Sequence, residues 1–141
     1  MAQLSDLVRP GCRVALADGV GSPRSVSGEL SDVAAAAGDV SLLLGWTPVA
    51  DPLLRFDVFA DVRTLMPGWG LRPAIDAGQA HAPPVRLSTV PALLHGPLRP
   101  DVLVASVVPH VDGGYFFATE VSWLRAAVDA GARVAGVLAT A

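Results

Sequence analysis

Residues 12–38 read CRVALADGVGSPRSVSGELSDVAAAAG, and the fold is decided there. The opening run, 12–17, is apolar apart from Arg13, the pattern of a strand covered on both faces. Asp18-Gly19-Val20-Gly21-Ser22-Pro23 then turns the chain. Ser22 suits an N-cap, and Pro23 suits the first helical position, where its missing N–H costs no hydrogen bond. Beyond it Val26, Leu30, Val33, Ala34 and Ala37 fall at i, i+4, i+7, i+8 and i+11. They form one helical face with Glu29 and Asp32 off it, and Gly38 is the stop. Strand, glycine turn, helix is the opening unit of a parallel α/β sheet.

The same grammar recurs outward. Leu4, Leu7 and Val8 have helical spacing before Pro10-Gly11 breaks the chain. VSLLLGW (40–46) reads as a second buried strand, 62–66 as a candidate strand ended by Pro67-Gly68, and 73–77 as a short helix. Residues 49–60 follow neither period, and 89–94 are a turn or two of helix in a proline-rich region. DVLVASVV (101–108) is a third strong strand, with a turn at Gly113-Gly114 beyond it. Thr119 can cap a helix over 120–130, with Val121, Leu124 and Val128 on one face and Gly131 at its end. The last apolar run, 134–139, reads as a buried strand. Residues 1–141 are therefore expected to form a single three-layer α/β domain. Its sheet should be open and mainly parallel, with strands at 12–17, 40–46, 101–108 and 134–139 and helices near 23–37 and 120–130.

Composition sets the limits. Of 141 residues 52% are hydrophobic and 16% charged, against about 25% charged in an ordinary soluble domain. The net charge of −3 argues against nucleic acid as partner. All ten basic residues are Arg, so Schiff-base chemistry, a Walker lysine and a Ser–Lys dyad are excluded. One cysteine, Cys12, excludes an internal disulfide and a Cys₄ zinc site, and reads as a small core residue. The start, MAQLSDLVRPG, has no signal-peptide core, and the longest stretch free of Asp, Glu and Arg, 87–98, is too short to cross a bilayer. A cytoplasmic protein is expected. So sparse a charge on so small a domain also predicts an exposed apolar patch, covered by a partner or by self-association.

Chemistry-bearing residues are few. The loop Gly19, Val20, Gly21, Ser22, Pro23 joins a strand to a helix N-terminus, where free N–H groups favour an anion or a developing oxyanion; a tight structural turn is the other reading. The dinucleotide fingerprint fails, because Arg24 stands where the third glycine is needed, and this weakens a nucleotide-binding reading. His81, His95 and His110 lack paired ligand spacing, so no metal site is expected. Glu29 lies on the polar side of its helix, and Glu120 in the first turn of its own, where an acid complements the dipole. Trp46, Trp69 and Trp123 are too scattered for a stacking platform and read mostly as core. Arg72 is a surface residue or a carboxylate or phosphate clamp.

In order, these segments resemble the N-terminal domain of the acetyl-CoA hydrolase/transferase family, which includes 4-hydroxybutyrate and succinyl-CoA:acetate CoA-transferases. The resemblance rests on LVRPGCRVALADGVGSP (7–23), Arg72 with Ala74, Ile75 and Gly78, PPVRLSTVPALL (83–94), and DVLVASVVPHVDGGYFFAT (101–119) with the helix and strand after it. It departs where the family has Pro-Pro-Asp before its Gly-Tyr, since Pro109-His110-Val111 stands here with the acid displaced to Asp112. The family's small-to-Gly ending after Tyr is Ala118-Thr119, and its final Glu-containing turn is replaced by Leu138-Ala139-Thr140-Ala141.

The resemblance implies a CoA-transferase-like fold (NagB/RpiA/CoA-transferase type). The chain would be half of an acyl-CoA:carboxylate CoA-transferase or acetyl-CoA hydrolase, with a coenzyme A thioester as substrate and no tightly bound cofactor. A glutamate attacks the thioester in that family and lies in a C-terminal domain, so no catalytic residue is assigned here and a partner domain or chain is expected. Gly19 to Pro23 and the Gly114-Tyr115 turn would face the cleft, with Arg72 the lesser candidate. The competing reading is a non-catalytic interaction module.

Overall fold

The computed structural model describes residues 3–120 and 122–139. Among the described residues six strands form one sheet: β1 (Arg13–Leu16), β2 (Ser41–Leu44), β3 (Asp61–Thr64), β4 (Val102–Pro109), β5 (Tyr115–Phe117) and β6 (Arg133–Leu138). β1 pairs in parallel with β2 and β4, β2 with β3, and β4 with β6. Only β5 is antiparallel, folding back on the end of β4. The carbonyls of Val104 and Ser106 accept from Ala17 and Ala118, whereas that of Val107 accepts from Ala139. Alternate carbonyls of a strand point to the same side, so β5 continues along the edge of β4 that β1 occupies, and β6 lines the opposite edge.

The four expected strands all lie in this mainly parallel sheet, and the candidate strand at 62–66 is β3. The hairpin strand β5 was not anticipated. Its three residues are too few to establish a period, and only the Gly113-Gly114 turn before it was legible.

Side-chain alternation makes the three layers. Val14, Leu16, Leu42, Leu44, Val102 and Val104 enter one core with Leu30 and Ala34 of α2 (Ser27–Ala37) and Leu4 of α1 (Leu4–Leu7). α3 (Arg72–Asp76) adds Ala74 to the same side. On the other face Ala15, Leu43, Leu103 and Ala105 meet Val90 and Leu94 of α4 (Val90–His95) and Leu124 and Ala127 of α5 (Leu124–Asp129). Each fully buried leucine contributes about 1.5–3 kcal/mol, so the two sets together carry the fold.

The expected helix 23–37 is α2 preceded by a 3₁₀ turn, Arg24–Val26. Ser22 does not cap it, because the turn is led by Pro23 and α2 by Val26, neither with a side-chain cap bond. The deepest stripe of α2 is Ser27, Leu30, Ser31 and Ala34, with Val26, Val33 and Ala37 at its margin. The two serines are satisfied by the irregular segment 51–55. Ser27 Oγ donates to Asp51 (2.6 Å), and Ser31 Oγ donates to the Leu53 carbonyl (3.0 Å) and accepts from the Arg55 N–H (3.0 Å).

Two expectations are corrected. The helix expected over 120–130 begins at Leu124, and Thr119 and Glu120 lie in the irregular chain after β5. They pack on the glycine loop, so Glu120 is not in the first turn of α5. Val121, expected on that helix face, lies outside the described residues. The last strand is not buried. β6 is an edge, Val134 and Leu138 being 42% and 57% exposed.

Cys12 is buried, as a small core residue would be, and burial pushes its thiol pKa up. Folding thus favours the protonated thiol. The associated stability is fully present below the thiol's ordinary pKa and is lost as pH rises through the folded value. At pH 8.5 iodoacetamide should label Cys12 at least ten times more slowly in the native chain than in urea, read by mass spectrometry; equal rates would show an open thiol.

Candidate functional site

The carboxyl ends of β1, β2 and β3 converge with the chain that follows β5. Where β1 ends, Asp18 acts as a hub. One carboxylate oxygen accepts from the Trp46 N–H at the end of β2 (2.9 Å) and from the Trp123 indole N–H (3.1 Å), while the other accepts from Ser122 Oγ (3.3 Å). Gly45 must be glycine, since a Cβ there would collide with the Asp18 carboxylate.

The glycine loop leaves this hub. Gly19 has φ +77°, the left-handed region that favours glycine, and its N–H donates to the Trp46 carbonyl (2.7 Å). Ser106 Oγ on β4 donates to the Gly21 carbonyl (2.8 Å) and fixes the loop from below. The Gly21 N–H points at Glu120 Oε1, 3.4 Å away. The Val20 N–H donates to no described residue, and the Val20 side chain is exposed. Within the loop, the N–H groups of Val20 and Gly21 are thus the two without a backbone acceptor among the described residues. A Cβ on Gly21 would collide with the Thr119 hydroxyl, so the chain after β5 is laid directly on the loop.

A cleft of about 510 Å³ opens beside it, floored by Asp18, Leu65 and Trp123 and walled by Trp46, Met66 and Leu87, with Glu120 on its rim. Its lining is predominantly apolar with few polar groups, as in most small-molecule sites. A narrower cavity of about 70 Å³, room for ordered water, separates the loop from residues 45–51 and touches Ser22.

The residues singled out by sequence are only partly gathered. Gly19, Val20, Gly21 and Ser22 lie together at the end of β1, with Pro23 buried behind them. Arg72 begins α3 beside Trp69 in a groove that shares Trp46 and Pro67 with the larger cleft, and it makes a loose ion pair with Asp76 (3.8 Å). Gly114 closes the turn of the β4–β5 hairpin and Tyr115 opens β5 opposite Pro109, with Tyr115 exposed. Three residues, 116–118, lie between Tyr115 and Thr119, a span of at most roughly 14 Å. Glu29 is exposed on α2, and among the described residues no group of three His, Cys, Asp or Glu could hold a metal ion. The tryptophans depart from expectation: Trp123 is core, but Trp69 is 79% and Trp46 39% exposed, both at the carboxyl end of the sheet.

Sequence reasoning missed Asp18 as the organiser and Glu120 as the neighbour of the loop. An acid closing an apolar strand just before a glycine turn was a usable signal for Asp18. Nothing local signalled Glu120, whose partner is 99 residues away.

No family model matches the sequence, and no curated protein is similar to it at the sequence level. Solved structures do share its fold. RipA from Yersinia pestis superposes with a TM-score of 0.73 at 15% identity, over 93% of this chain and 34% of RipA. A Pseudomonas malonate decarboxylase hetero-tetramer, solved with malonate, contains a chain with TM-score 0.66 and 19% identity, over 96% of this chain and 27% of that one. The malonate decarboxylase alpha subunit from Acinetobacter baumannii gives 0.63 at 17% identity, over 96% and 26%. The α/β fold is thus of the CoA-transferase-like type, and the chain spans about a third or less of these neighbours' lengths. Among the described residues no helix is long and apolar enough to cross a membrane.

Proposed function

We propose that the chain is one half of an acyl-CoA:carboxylate CoA-transferase or acetyl-CoA hydrolase, forming one wall of the active-site cleft in the cytoplasm. The observation that carries this reading is the glycine loop at the end of β1, whose Val20 and Gly21 N–H groups have no backbone acceptor among the described residues, next to an apolar cleft of about 510 Å³ bordered by Asp18, which leads into the loop, and by Glu120, which lies on it. A thioester's acyl portion suits the apolar lining, and its carbonyl oxygen suits the Val20 and Gly21 donors. A glutamate from a second domain or chain would attack the thioester carbonyl. The C–S bond breaks, CoA leaves as thiolate, and an acyl-glutamyl anhydride remains. The thiolate then attacks the glutamyl carbonyl of the anhydride, expelling the first carboxylate and leaving a glutamyl-CoA thioester. A small carboxylate acceptor, or water in a hydrolase, completes the exchange. At each tetrahedral stage the loop donors stabilise the oxyanion, the usual demand of acyl transfer.

The partner is a C-terminal CoA-transferase domain, supported by the much greater length of the structural neighbours and by the hetero-tetramer in which one of them was solved. Without it the exposed Trp46, Met66, Trp69 and β6 edge leave apolar surface uncovered, and self-association is expected. Sedimentation of the isolated chain should show oligomers; a monodisperse monomer at high concentration would count against a missing partner.

One observation favours the second reading, a non-catalytic interaction module. Thr119 and Glu120 cover the loop that a substrate would use. Mixing decides between them. The chain plus a cognate glutamate-bearing domain should exchange CoA between acetyl-CoA and a carboxylate, and Gly21→Val should reduce that rate by about 100-fold, comparable to loss of an oxyanion donor. A mixture that binds but never exchanges CoA would leave the module reading standing.

A further inference from the structure

We propose that Glu120 is a resident occupant of the glycine loop, a carboxylate that must swing away before a ligand oxygen can take the Gly21 N–H. The inference rests on reading the loop as the donor wall of a ligand cleft. It starts from where the carboxylate lies. A Cβ built on Gly19 would sit 2.6 and 2.7 Å from its two oxygens, so the group rests flat against the loop backbone in space that only glycine leaves open. Its Oε1 accepts from the Gly21 N–H at 3.4 Å, well beyond the 2.9–3.0 Å usual for such bonds. The chain's own carboxylate therefore stands where an external carboxylate or thioester carbonyl would stand.

The hold is weak, which a displaceable group requires. Among the described residues Glu120 forms no ion pair, and its side chain is half-buried. It sits in irregular chain between β5 and α5, so moving it breaks no helix or strand. Asp18, the other acid on the cleft, accepts from three donors and is compensated. Glu120 is thus the one weakly partnered negative charge on the rim, and while seated it both fills the donor and repels an incoming anion. This position also rules it out as a productive nucleophile in the same pose, because an attacking carboxylate cannot occupy the donor its oxyanion needs.

The test uses the full ¹⁵N-labelled chain and sodium acetate as probe, with sodium chloride at matched ionic strength as control. Backbone signals of Val20 and Gly21 are followed in wild type, Glu120→Ala and Glu120→Gln, and the rest of the spectrum reports that each variant is folded. Acetate should bind at least ten times more tightly to Glu120→Ala than to wild type. Glu120→Gln should fall between, since it loses the charge but still fills the loop. Equal affinity in all three at Val20 and Gly21 would overturn the occupant role and leave the loop reading intact. Acetate that shifts neither signal in any variant would overturn both.

Discussion

Supplied with acetyl-CoA and a carboxylate acceptor, the purified chain alone is expected neither to pass CoA to the acceptor nor to hydrolyse the thioester above the uncatalysed rate. The reason is its inventory of nucleophiles. Anhydride formation needs a carboxylate aimed at the thioester carbonyl while separate donors hold the oxyanion. The chain has two glutamates. Glu29 is exposed on α2, and Glu120 lies on the Gly21 donor itself. Asp18, the nearest other acid, is held by three hydrogen bonds that fix the ends of β1 and β2. Donors without a nucleophile supply only part of an acyl-transfer enzyme's acceleration, on the order of 10²–10³ per donor when the rest of the machinery is present. Chromatographic separation of acetyl-CoA, the acceptor's CoA thioester and free CoA reads transfer and hydrolysis together. Turnover that disappears in Glu29→Ala or Glu120→Ala would place the nucleophile inside these 141 residues and end the half-enzyme reading.

What the sequence made legible was local and periodic. The strand–loop–helix unit at 12–38 was readable because buried parallel strands are apolar throughout and α2 repeats its apolar positions at helical spacing. Leu42, Leu43 and Leu44 show the same logic, adjacent leucines entering opposite cores. The errors arose where tertiary contacts override local signals. Thr119 and Glu120 look like the cap and first turn of a helix, but Gly19 and Gly21 offer them a bed from across the sheet. Residues 134–139 are as apolar as β1, and apolarity alone cannot distinguish a central strand from an edge. Trp46 and Trp69 misled for the same reason, since large apolar groups at a site or an interface resemble core. The loop itself was visible as a glycine pattern. Its neighbours Ser106 and Glu120 were not, because each comes from a distant part of the chain.

The second large effect is expected at Asp18. Asp18→Ala should lower stability by about 2–4 kcal/mol, far more than the loss of an ordinary surface carboxylate. Three donors lose their acceptor together: the Trp46 N–H, the Trp123 indole N–H and the Ser122 hydroxyl. The indole matters most, because Trp123 is only 5% exposed and packs in the core with Leu124 and Ala127. Its N–H would be left partly desolvated without a partner, the situation in which hydrogen-bond loss costs most. The loop should loosen as well, because the Gly19 N–H depends on a Trp46 carbonyl whose own residue Asp18 anchors. Asp18→Asn keeps one acceptor oxygen, so it should recover about half of the loss while turning its amide toward donors it cannot satisfy. Urea unfolding followed by tryptophan fluorescence provides the measurement. Asp18→Ala within about 0.5 kcal/mol of wild type, the range of neutral surface changes, would mean that the carboxyl ends of the strands are held together by packing and not by this carboxylate.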